Sequence, residues 1–306
     1  MRKIHTLLVF IFLISSVAFS QYRWDYGLRL GVSNYLGDIG GTDLTRRNFV
    51  SDMKLAETKF SGGIFVRTRL GESFGLKASL NYGRIAGADS LSTNYGRRGR
   101  NLSFRNDIFE LAVTGEYYFY QVNDLGHTYR YRNDFKAYIF AGIAGFHHNP
   151  EAYYGGTWVD LQPLKTEGQK TPYSLWQASI PVGAGVYFTL NRKFRIGWEL
   201  GWRTTFTDYL DDISTKYPTT PFTGSNAALA SALSNRSGSY IVNDPVYLAQ
   251  YGPGQKRGDP THNDSYIFTT IDFSYVIRGQ SNFYHSHYSS LFGGKKYRKR
   301  KIRAKF

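Results

Sequence analysis

The sequence predicts an all-β protein, an eight-stranded antiparallel up-and-down transmembrane β-barrel. Four observations support this fold. Apolar and polar residues alternate with a period of two in eight segments. The connections between these segments alternate between short and long, and the N-terminus has the features of a secretion signal. Aromatic residues make up 17% of the chain, with 32 Gly and a mean hydropathy of −0.40, which suits strands that present only alternate residues to lipid.

The first element is the secretion signal, which we assign to residues 1–20. Two basic residues precede the apolar run LLVFIFLISSVAF, and the small residues of AFS then predict cleavage between Ser20 and Gln21. The apolar run is short for a membrane-spanning helix. The sequence contains no Cys, which excludes disulfides, thiolate catalysis and a lipid anchor on cysteine.

The first three predicted strands lie at 24–32, 58–70 and 74–82. In WDYGLRLGV, every second residue from Trp24 to Val32 is large and apolar, and the residues between them are small or charged. FGLKASLNY, the third segment, repeats this alternation. Such a pattern is typical of a strand with one apolar and one polar face.

Five further strands complete the predicted barrel, and FRIGWELGW is the clearest of them. Its aromatic and aliphatic residues share one face, whereas two Arg, a Glu and two Gly share the other. Most of the eight segments reach the roughly 9–11 residues that a tilted strand needs to cross a bilayer. The five segments lie at 105–120, 134–147, 174–190, 194–202 and 265–278.

The connections between the strands differ in length according to their order. GES, QVNDLGHTYRYRN and NRK are short, whereas the other four connections span roughly 37–57, 86–104, 148–173 and 208–264. This order predicts that the short connections are periplasmic turns and the long ones extracellular loops. The barrel domain would span residues 21–278, with both of its ends facing the periplasm. A soluble sandwich has no reason to sort its loops in this way. The longest loop contains SNAALASALSNR, a run capable of forming a helix.

The polar faces of the strands carry charges that would point into the lumen. Buried charges have to be paired, so we expect an ion-pair network that plugs the barrel in preference to a conducting pore. Gly183 and Gly185 would make room for long arginine side chains. The predicted network consists of Arg29, Lys77, Glu110, Glu116, Arg195, Glu199, Arg203 and Asp272, with Arg67 and Arg69 on the same face.

Three groups of residues could carry chemistry, and for each we favour a structural interpretation. The His147–His148 pair with Glu151 could belong to a lipid-modifying enzyme, but we expect two imidazoles at the headgroup level. The motif His285-x-His287 alone is a weak metal signal. DYLDD could hold Ca²⁺ or Mg²⁺ against lipopolysaccharide phosphates, but we expect a solvated acidic corner of Asp208, Asp211 and Asp212. We therefore predict no catalytic residue, no cofactor and no metal.

The last segment, residues 279–306, is a basic periplasmic tail. It supplies much of the formal net charge of +15. The predicted compartment excludes a nucleic-acid partner. The tail is either a solvated or lipid-contacting extension, or a docking segment for a periplasmic partner, which its aromatic residues favour. Its cations are Lys295, Lys296, Arg298, Lys299, Arg300, Lys301, Arg303 and Lys305.

The stretch WDYGLRLGVSNYLGDIGG resembles the PorG-like outer-membrane barrels of the type IX secretion system of Bacteroidetes-type bacteria. In that family the first strand ends in an (S/A)xYxGD corner, matched here by Gly31, Asn34, Tyr35, Leu36, Gly37 and Asp38. The resemblance implies the cell outer membrane and a non-enzymatic anchor that contacts a periplasmic ring of the secretion or gliding machinery. A general OmpA-like envelope-stabilising or adhesive barrel, a lipid A-modifying enzyme and a small pore remain as alternatives.

The corner itself predicts a rim. We expect Tyr35 to face the lipid interface as part of an aromatic girdle. Gly37 and the following glycines would let the chain leave the barrel, and Asp38 would cap that turn. The predicted membrane contacts are outer-membrane lipids and lipopolysaccharide.

Overall fold

A computed structural model describes residues 24–39, 55–122, 134–191, 193–239 and 245–277. The predicted signal peptide and the predicted tail lie outside these ranges. Eight long strands confirm the predicted fold class. They are β1 (Trp24–Leu36), β2 (Lys59–Arg69), β3 (Phe74–Ala88), β4 (Ser103–Val122), β5 (Asp134–His147), β8 (Trp176–Leu190), β9 (Phe194–Thr205) and β10 (Ser265–Ile277), with a hairpin of β6 (Pro150–Tyr154) and β7 (Thr157–Asp160) between β5 and β8.

The eight long strands form a closed antiparallel barrel. Each long strand pairs with the long strands before and after it in the chain. The β6–β7 hairpin follows the end of β5, and its β6 strand pairs with β4. The first and last strands close the barrel in a continuous register from Trp24 opposite Ile277 to Leu36 opposite Ser265. Both ends of the barrel chain therefore lie at the end with the short connections, which we call the turn end. The opposite end is the loop end.

The two faces of the wall differ in chemistry. Large apolar side chains point outward, such as Leu28, which is 60% exposed, and Ile143, which is 73% exposed. Inward residues such as Arg29 and Lys77 are 2% and 1% exposed. The alternation seen in the sequence thus sets which face is apolar, and the apolar face is the outside.

The long connections fold together over the loop end. Three helices contribute, α1 (Tyr95–Arg100), α2 (Ala227–Ser234) and α3 (Pro245–Leu248), and α2 confirms the helix expected in SNAALASALSNR. None of the helices in the described part of the chain has the length and hydrophobicity required to span a membrane. We use the term cap for the described residues of 89–102, 148–175 and 206–264, together with the corner at 37–39.

Two apolar clusters hold the cap in place. The first joins the top of the barrel to the longest loop through Ile85, Ile108, Phe146, Leu210 and Ile213. The second packs α2 on the β6–β7 hairpin and the segment that follows it. Burying apolar side chains in this way stabilises a cap that is otherwise rich in charge.

Candidate functional site

The lumen is filled by charged side chains that are centred on Glu199. Its carboxylate accepts a hydrogen bond from Arg29 Nη2 at 2.9 Å and from the Tyr138 hydroxyl at 2.8 Å, and it also pairs with Lys77. Arg29 in turn donates to Asp272 Oδ2 at 2.9 Å. Three strand segments that are distant in sequence are thereby joined through one buried carboxylate.

A second group of charges lies towards the turn end. Arg67 Nε contacts Glu116 Oε1 at 3.0 Å, and its Nη1 lies 3.4 Å from Asp25 Oδ2. Arg195 also forms an ion pair with Asp25, with Nη1 2.7 Å from Oδ1. Our predicted network omitted Asp25, although the alternation in WDYGLRLGV places it on the inward face.

A third group lies towards the loop end. Glu110 Oε2 accepts a hydrogen bond from Arg203 Nε at 3.2 Å and another from the Tyr266 hydroxyl at 2.7 Å. The structure therefore places all eight predicted network residues inside the barrel, together with Arg67, which we expected on the same face, and Asp25, which we did not include. Five carboxylates face five cations, and each is at most 4% exposed: Asp25, Glu110, Glu116, Glu199 and Asp272 with Arg29, Arg67, Lys77, Arg195 and Arg203. Paired and buried charge of this kind fills a lumen and fixes its side chains.

The inward glycines serve aromatic rings, which corrects our expectation. A Cβ atom at Gly183 would lie 2.6 Å from the ring of Phe140, and one at Gly185 would lie 2.6 Å from Tyr138. The position that makes room for an arginine is Gly201, where a Cβ would meet Arg203 Nη1 at 2.3 Å.

The corner of the first strand does not face lipid, so the girdle role predicted for Tyr35 is wrong. Tyr35 is buried, because it lies an odd number of residues from the outward Val32 and so points inward. Its hydroxyl oxygen lies 2.6 Å from Asp211 Oδ2 and 3.0 Å from Asp264 Oδ1. It also accepts the backbone N–H of Asp38 at 2.8 Å. The corner thus joins the barrel to the longest loop.

Gly37 and Asp38 belong to the same junction. A Cβ atom at Gly37 would lie 1.8 Å from the Tyr35 hydroxyl, so only glycine allows this approach. The turn that we expect Asp38 to cap continues into residues 40–54, which lie outside the described residues, so this role stays a prediction. Asp38 Oδ2 accepts the backbone N–H of Asp259 at 2.7 Å, and the Asp38 carbonyl accepts Arg100 Nη2 at 2.7 Å. The cap therefore covers the corner.

The acidic corner of DYLDD is buried and not solvated. Asp208, Asp211 and Asp212 are at most 8% exposed, because the longest loop folds over the barrel mouth. Burial and the negative charge of Asp38 raise the pKa of Asp211 to about 7. Burial also raises the pKa of Asp212 to about 6, although Arg257 opposes the shift.

Two buried arginines hold the cap together, and our sequence analysis did not identify either. Arg257 Nη1 contacts Glu167 Oε1 at 3.1 Å, and its Nη2 lies 3.6 Å from Asp212 Oδ2. Arg100 binds Asp89 through Nε at 2.8 Å and through Nη2 at 2.9 Å. Both residues lie outside the barrel strands, where no periodic pattern indicates burial.

The histidine pair does not form a catalytic arrangement. His148 is buried between Phe146 and Tyr173, which corrects the expected headgroup position for this residue, and burial lowers its pKa to about 4. His147 points outward against Trp176, with ring centroids 5.0 Å apart. Among the described residues, neither imidazole forms a hydrogen bond to a carboxylate or a serine hydroxyl, and Glu151 instead contacts Arg105 at 2.6 Å.

The remaining predicted sites are limited by the extent of the described chain. Within its ranges, no group of three or more His, Cys, Asp or Glu residues is arranged to hold a metal ion. His285, His287 and the eight tail cations lie outside the described residues, so their predicted roles stay predictions.

Comparison with known proteins gives a family and a set of similar barrels. A family model described as "Domain of unknown function (DUF6089)" matches residues 3–222. No curated protein matches the chain. The chain is similar to Pseudomonas aeruginosa OprG, with 10% identity, coverage of 85% of this chain and 99% of that chain, and a TM-score of 0.36.

Two other solved structures have comparable values. For the N-terminal β-barrel domain of P. aeruginosa OprF, the identity is 9%, the coverage is 84% of this chain and 100% of that chain, and the TM-score is 0.34. For Ail, the attachment invasion locus protein of Yersinia pestis, in complex with sucrose octasulfate, the identity is 8%, the coverage is 83% of this chain and 99% of that chain, and the TM-score is 0.35. The barrel assignment made above rests on this chain's own strand pairing.

Proposed function

This chain belongs to the DUF6089 family, a domain of unknown function, and we propose that it is a non-enzymatic outer-membrane β-barrel with a plugged lumen. In the finer form of the proposal, it is a PorG-like anchoring component of the type IX secretion or gliding machinery. The anchor holds a periplasmic ring at the outer membrane through its turn end and basic tail.

The distribution of apolar and charged residues carries the proposal. A soluble barrel would bury its apolar side chains and expose polar ones, whereas this barrel exposes its apolar face and buries ten paired charges. Such a surface requires lipid around it. Together with the predicted secretion signal, it supports placement in the cell outer membrane.

Aromatic side chains mark the two edges of the apolar surface. At the turn end, the rings of Phe74 and Tyr117 lie 5.2 Å apart, and those of Phe194 and Tyr275 lie 5.6 Å apart. At the loop end, Tyr82 and Phe109 pair at 5.1 Å, and other outward rings follow in Phe60, Trp176 and Phe206. Aromatic belts of this kind are typical of the two membrane–water interfaces.

Four features support the finer, anchoring role. The filled lumen suits a structural component better than a channel. Trp24 and Ile277 lie opposite each other at the turn end, so the last strand ends on the side that would face the periplasm. The tail's cations favour an acidic partner, and the corner sequence resembles the PorG-like family.

The cap gives specific support to a second candidate, an adhesive or envelope-stabilising barrel that acts through its loops. Its long loops are packed on two apolar clusters, and they present aromatic residues such as Tyr95, which is 70% exposed. An ordered surface with exposed aromatic side chains suits a binding role. The lipid A-modifying alternative lacks such support, since the histidine pair does not form a catalytic arrangement.

Deletion of residues 279–306 tests the anchoring role. The truncated protein should insert into the outer membrane and keep its heat-modifiable mobility, but lose the periplasmic proteins that co-purify with the full chain. A matched variant with the eight tail cations replaced by Gln separates charge from length. If all three proteins recover the same periplasmic partners from native envelopes, docking through the tail is wrong.

A further inference from the structure

The turn end of the lumen contains a buried cation outside the balanced set of ten charges. Lys136, on β5, is 3% exposed. Its ammonium group donates to the neutral side-chain oxygen of Gln121, and it forms no ion pair with a carboxylate of the described chain. A buried ammonium group with one neutral acceptor is unfavourable, because it has lost most of its hydration.

Two further donors in the same region have no acceptor. The Nε of Arg69, at the end of β2, and the hydroxyl of Tyr187, on β8, have no hydrogen-bond partner among the described residues. Arg69 uses Nη2 to bind the carbonyl of Glu72 at 3.1 Å. Tyr187 is 1% exposed, so its hydroxyl is not hydrogen-bonded to bulk water.

The three donors lie around one pair of rings. Lys136 and Tyr187 are register partners on neighbouring strands. The Lys136 ammonium lies 5.4 Å from the centre of the Tyr118 ring, and the Arg69 guanidinium lies 5.8 Å from it. The ring centroids of Tyr118 and Tyr187 are 6.0 Å apart. The donors of three strands therefore converge on one region.

Charges of both signs lie around Lys136, but none of the described carboxylates forms an ion pair with it. Arg69 and Arg195 both act unfavourably on its ammonium group, whereas Asp134 and Glu72 act favourably without an ion pair to it. Arg195 is already engaged with Asp25 at 2.7 Å. Among the described residues, the region thus combines a buried ammonium group that lacks an ion pair with two hydrogen-bond donors that lack an acceptor.

We propose that the turn end of the lumen binds a small inorganic oxyanion, phosphate or sulfate, through Lys136, Arg69 and Tyr187. A tetrahedral oxyanion offers acceptor oxygens in several directions, which suits donors that arrive from three different strands. The anion enters from the turn side, where Arg69 and Gln121 are partly exposed above the buried Lys136. This site stands apart from the anchoring role, since it is built from the barrel alone.

Thermal unfolding of the purified full chain in neutral detergent tests the site. Sodium phosphate should raise the unfolding temperature in a saturable manner, whereas sodium chloride at the same ionic strength should not. Titration calorimetry with phosphate then gives the affinity. In Lys136→Met the affinity for phosphate should fall by about tenfold or more, because that is the usual contribution of a hydrogen bond to a charged group.

A matched variant controls for net charge. Lys170→Gln removes one positive charge from the exposed surface of the cap and should leave phosphate binding unchanged. Arg69→Gln, at the partly exposed rim, offers a second test that does not alter a fully buried position. It should weaken phosphate binding in the same direction as Lys136→Met.

The stability of Lys136→Met without phosphate provides a further criterion. Because the variant removes an uncompensated buried charge, it should be at least as stable as the wild type in phosphate-free buffer. A large loss of stability there would show that Lys136 already has a counter-ion within the protein. That result, or phosphate binding equal in wild type and Lys136→Met, would overturn the proposal.

Discussion

Buried charge is organised differently in the lumen and in the cap. The central lumen contains five carboxylates and five cations, and some pairs, such as Arg29 and Asp272, are direct partners across neighbouring strands. In the described part of the cap, seven carboxylates are buried with only two arginines, Arg100 and Arg257. The seven are Asp38, Asp89, Glu167, Asp208, Asp211, Asp212 and Asp264.

This difference shows how each region compensates its charge. Carboxylates in the lumen are neutralised by cations that the barrel strands supply. In the cap, arginines are too few, so backbone N–H groups, hydroxyls and protons take their place. Tyr35 illustrates the last case, because its single hydroxyl proton serves two carboxylates, Asp211 and Asp264. Burial and the negative charge of Asp38 raise the pKa of Asp211 to about 7, which favours a proton on this carboxyl group.

The largest predicted effect breaks the balance of the lumen. Glu199→Ala would leave Arg29 and Lys77 buried without their shared carboxylate, and we expect a loss of about 3–5 kcal/mol in the free energy of unfolding. Urea unfolding in lipid vesicles, followed by tryptophan fluorescence, measures this quantity. Asp107→Ala is the matched control, since it breaks a partly exposed pair with Arg84 and should cost less than about 1 kcal/mol. Equal losses in the two variants would contradict the lumen network as described.

A smaller effect is expected when the cap loses one of its two arginines. Arg257→Met would leave Glu167 and Asp212 buried without their cation, at a cost of about 3 kcal/mol that falls mainly on the cap. Limited proteolysis should cut the 206–264 loop faster, while the heat-modifiable mobility of the barrel stays unchanged. Lys256→Met changes the exposed neighbouring residue, and its 206–264 loop should be cleaved at the same rate as that of the wild type. If Arg257→Met also lost the heat-modifiable electrophoretic mobility of the folded barrel, the cap and the barrel would not be separable in stability.

The junction between the two regions should respond to one methyl group. Gly37→Ala would place a Cβ 1.8 Å from the Tyr35 hydroxyl and 2.0 Å from Asp264 Oδ1, so the junction has to shift, at a cost of about 1–3 kcal/mol. Gly115→Ala adds the same methyl group to the outward face of β4, where the nearest atom is 3.8 Å away. Thermal unfolding of both variants should separate them, with only Gly37→Ala losing stability.

The smallest predicted effect is a pH dependence of the cap. Since the pKa of Asp211 is about 7 when folded and near 4 when unfolded, the folded state binds the extra proton, and stability falls as pH rises. Between pH 6 and 8 we expect a loss of about 1.4 kcal/mol from this group. His148 acts in the opposite direction below pH 6.5, because its folded pKa is about 4.

Comparison of the wild type with Asp211→Asn isolates the aspartate. Asparagine resembles the protonated acid, so the variant should lose this part of the pH dependence, whereas the contribution of His148 remains in both proteins. Unfolding free energies measured at pH 6, 7 and 8 provide the test. Parallel curves for the two proteins would show that Asp211 is ionised throughout this range.

The lumen was open to prediction because a strand repeats every two residues. That period gives the face of each side chain, so Arg29, Glu199 and Asp272 could all be placed inside from the sequence. The same rule indicates that Asp25 and Tyr35 point inward, and our expectation for Tyr35 failed because we let the aromatic side chain outweigh its position in the alternation.

The cap could not be predicted in the same way. Its contacts join residues that are far apart in sequence, such as Tyr35 with Asp264 and Arg100 with the carbonyl of Arg257. Loop residues carry no periodicity that indicates burial. The aspartates of DYLDD therefore looked solvated, and the burial of Glu167 and Arg257 became evident only from the packed loops.

Planar-bilayer recording of the purified full chain tests the plugged lumen most directly. Ten paired charges fill the barrel interior from Asp25 towards the turn end to Glu110 towards the loop end, so we predict no discrete conductance steps at moderate voltage. A channel-forming porin reconstituted in the same bilayers provides the positive control. Reproducible unitary conductance from the wild-type protein would contradict the plugged lumen and favour a pore.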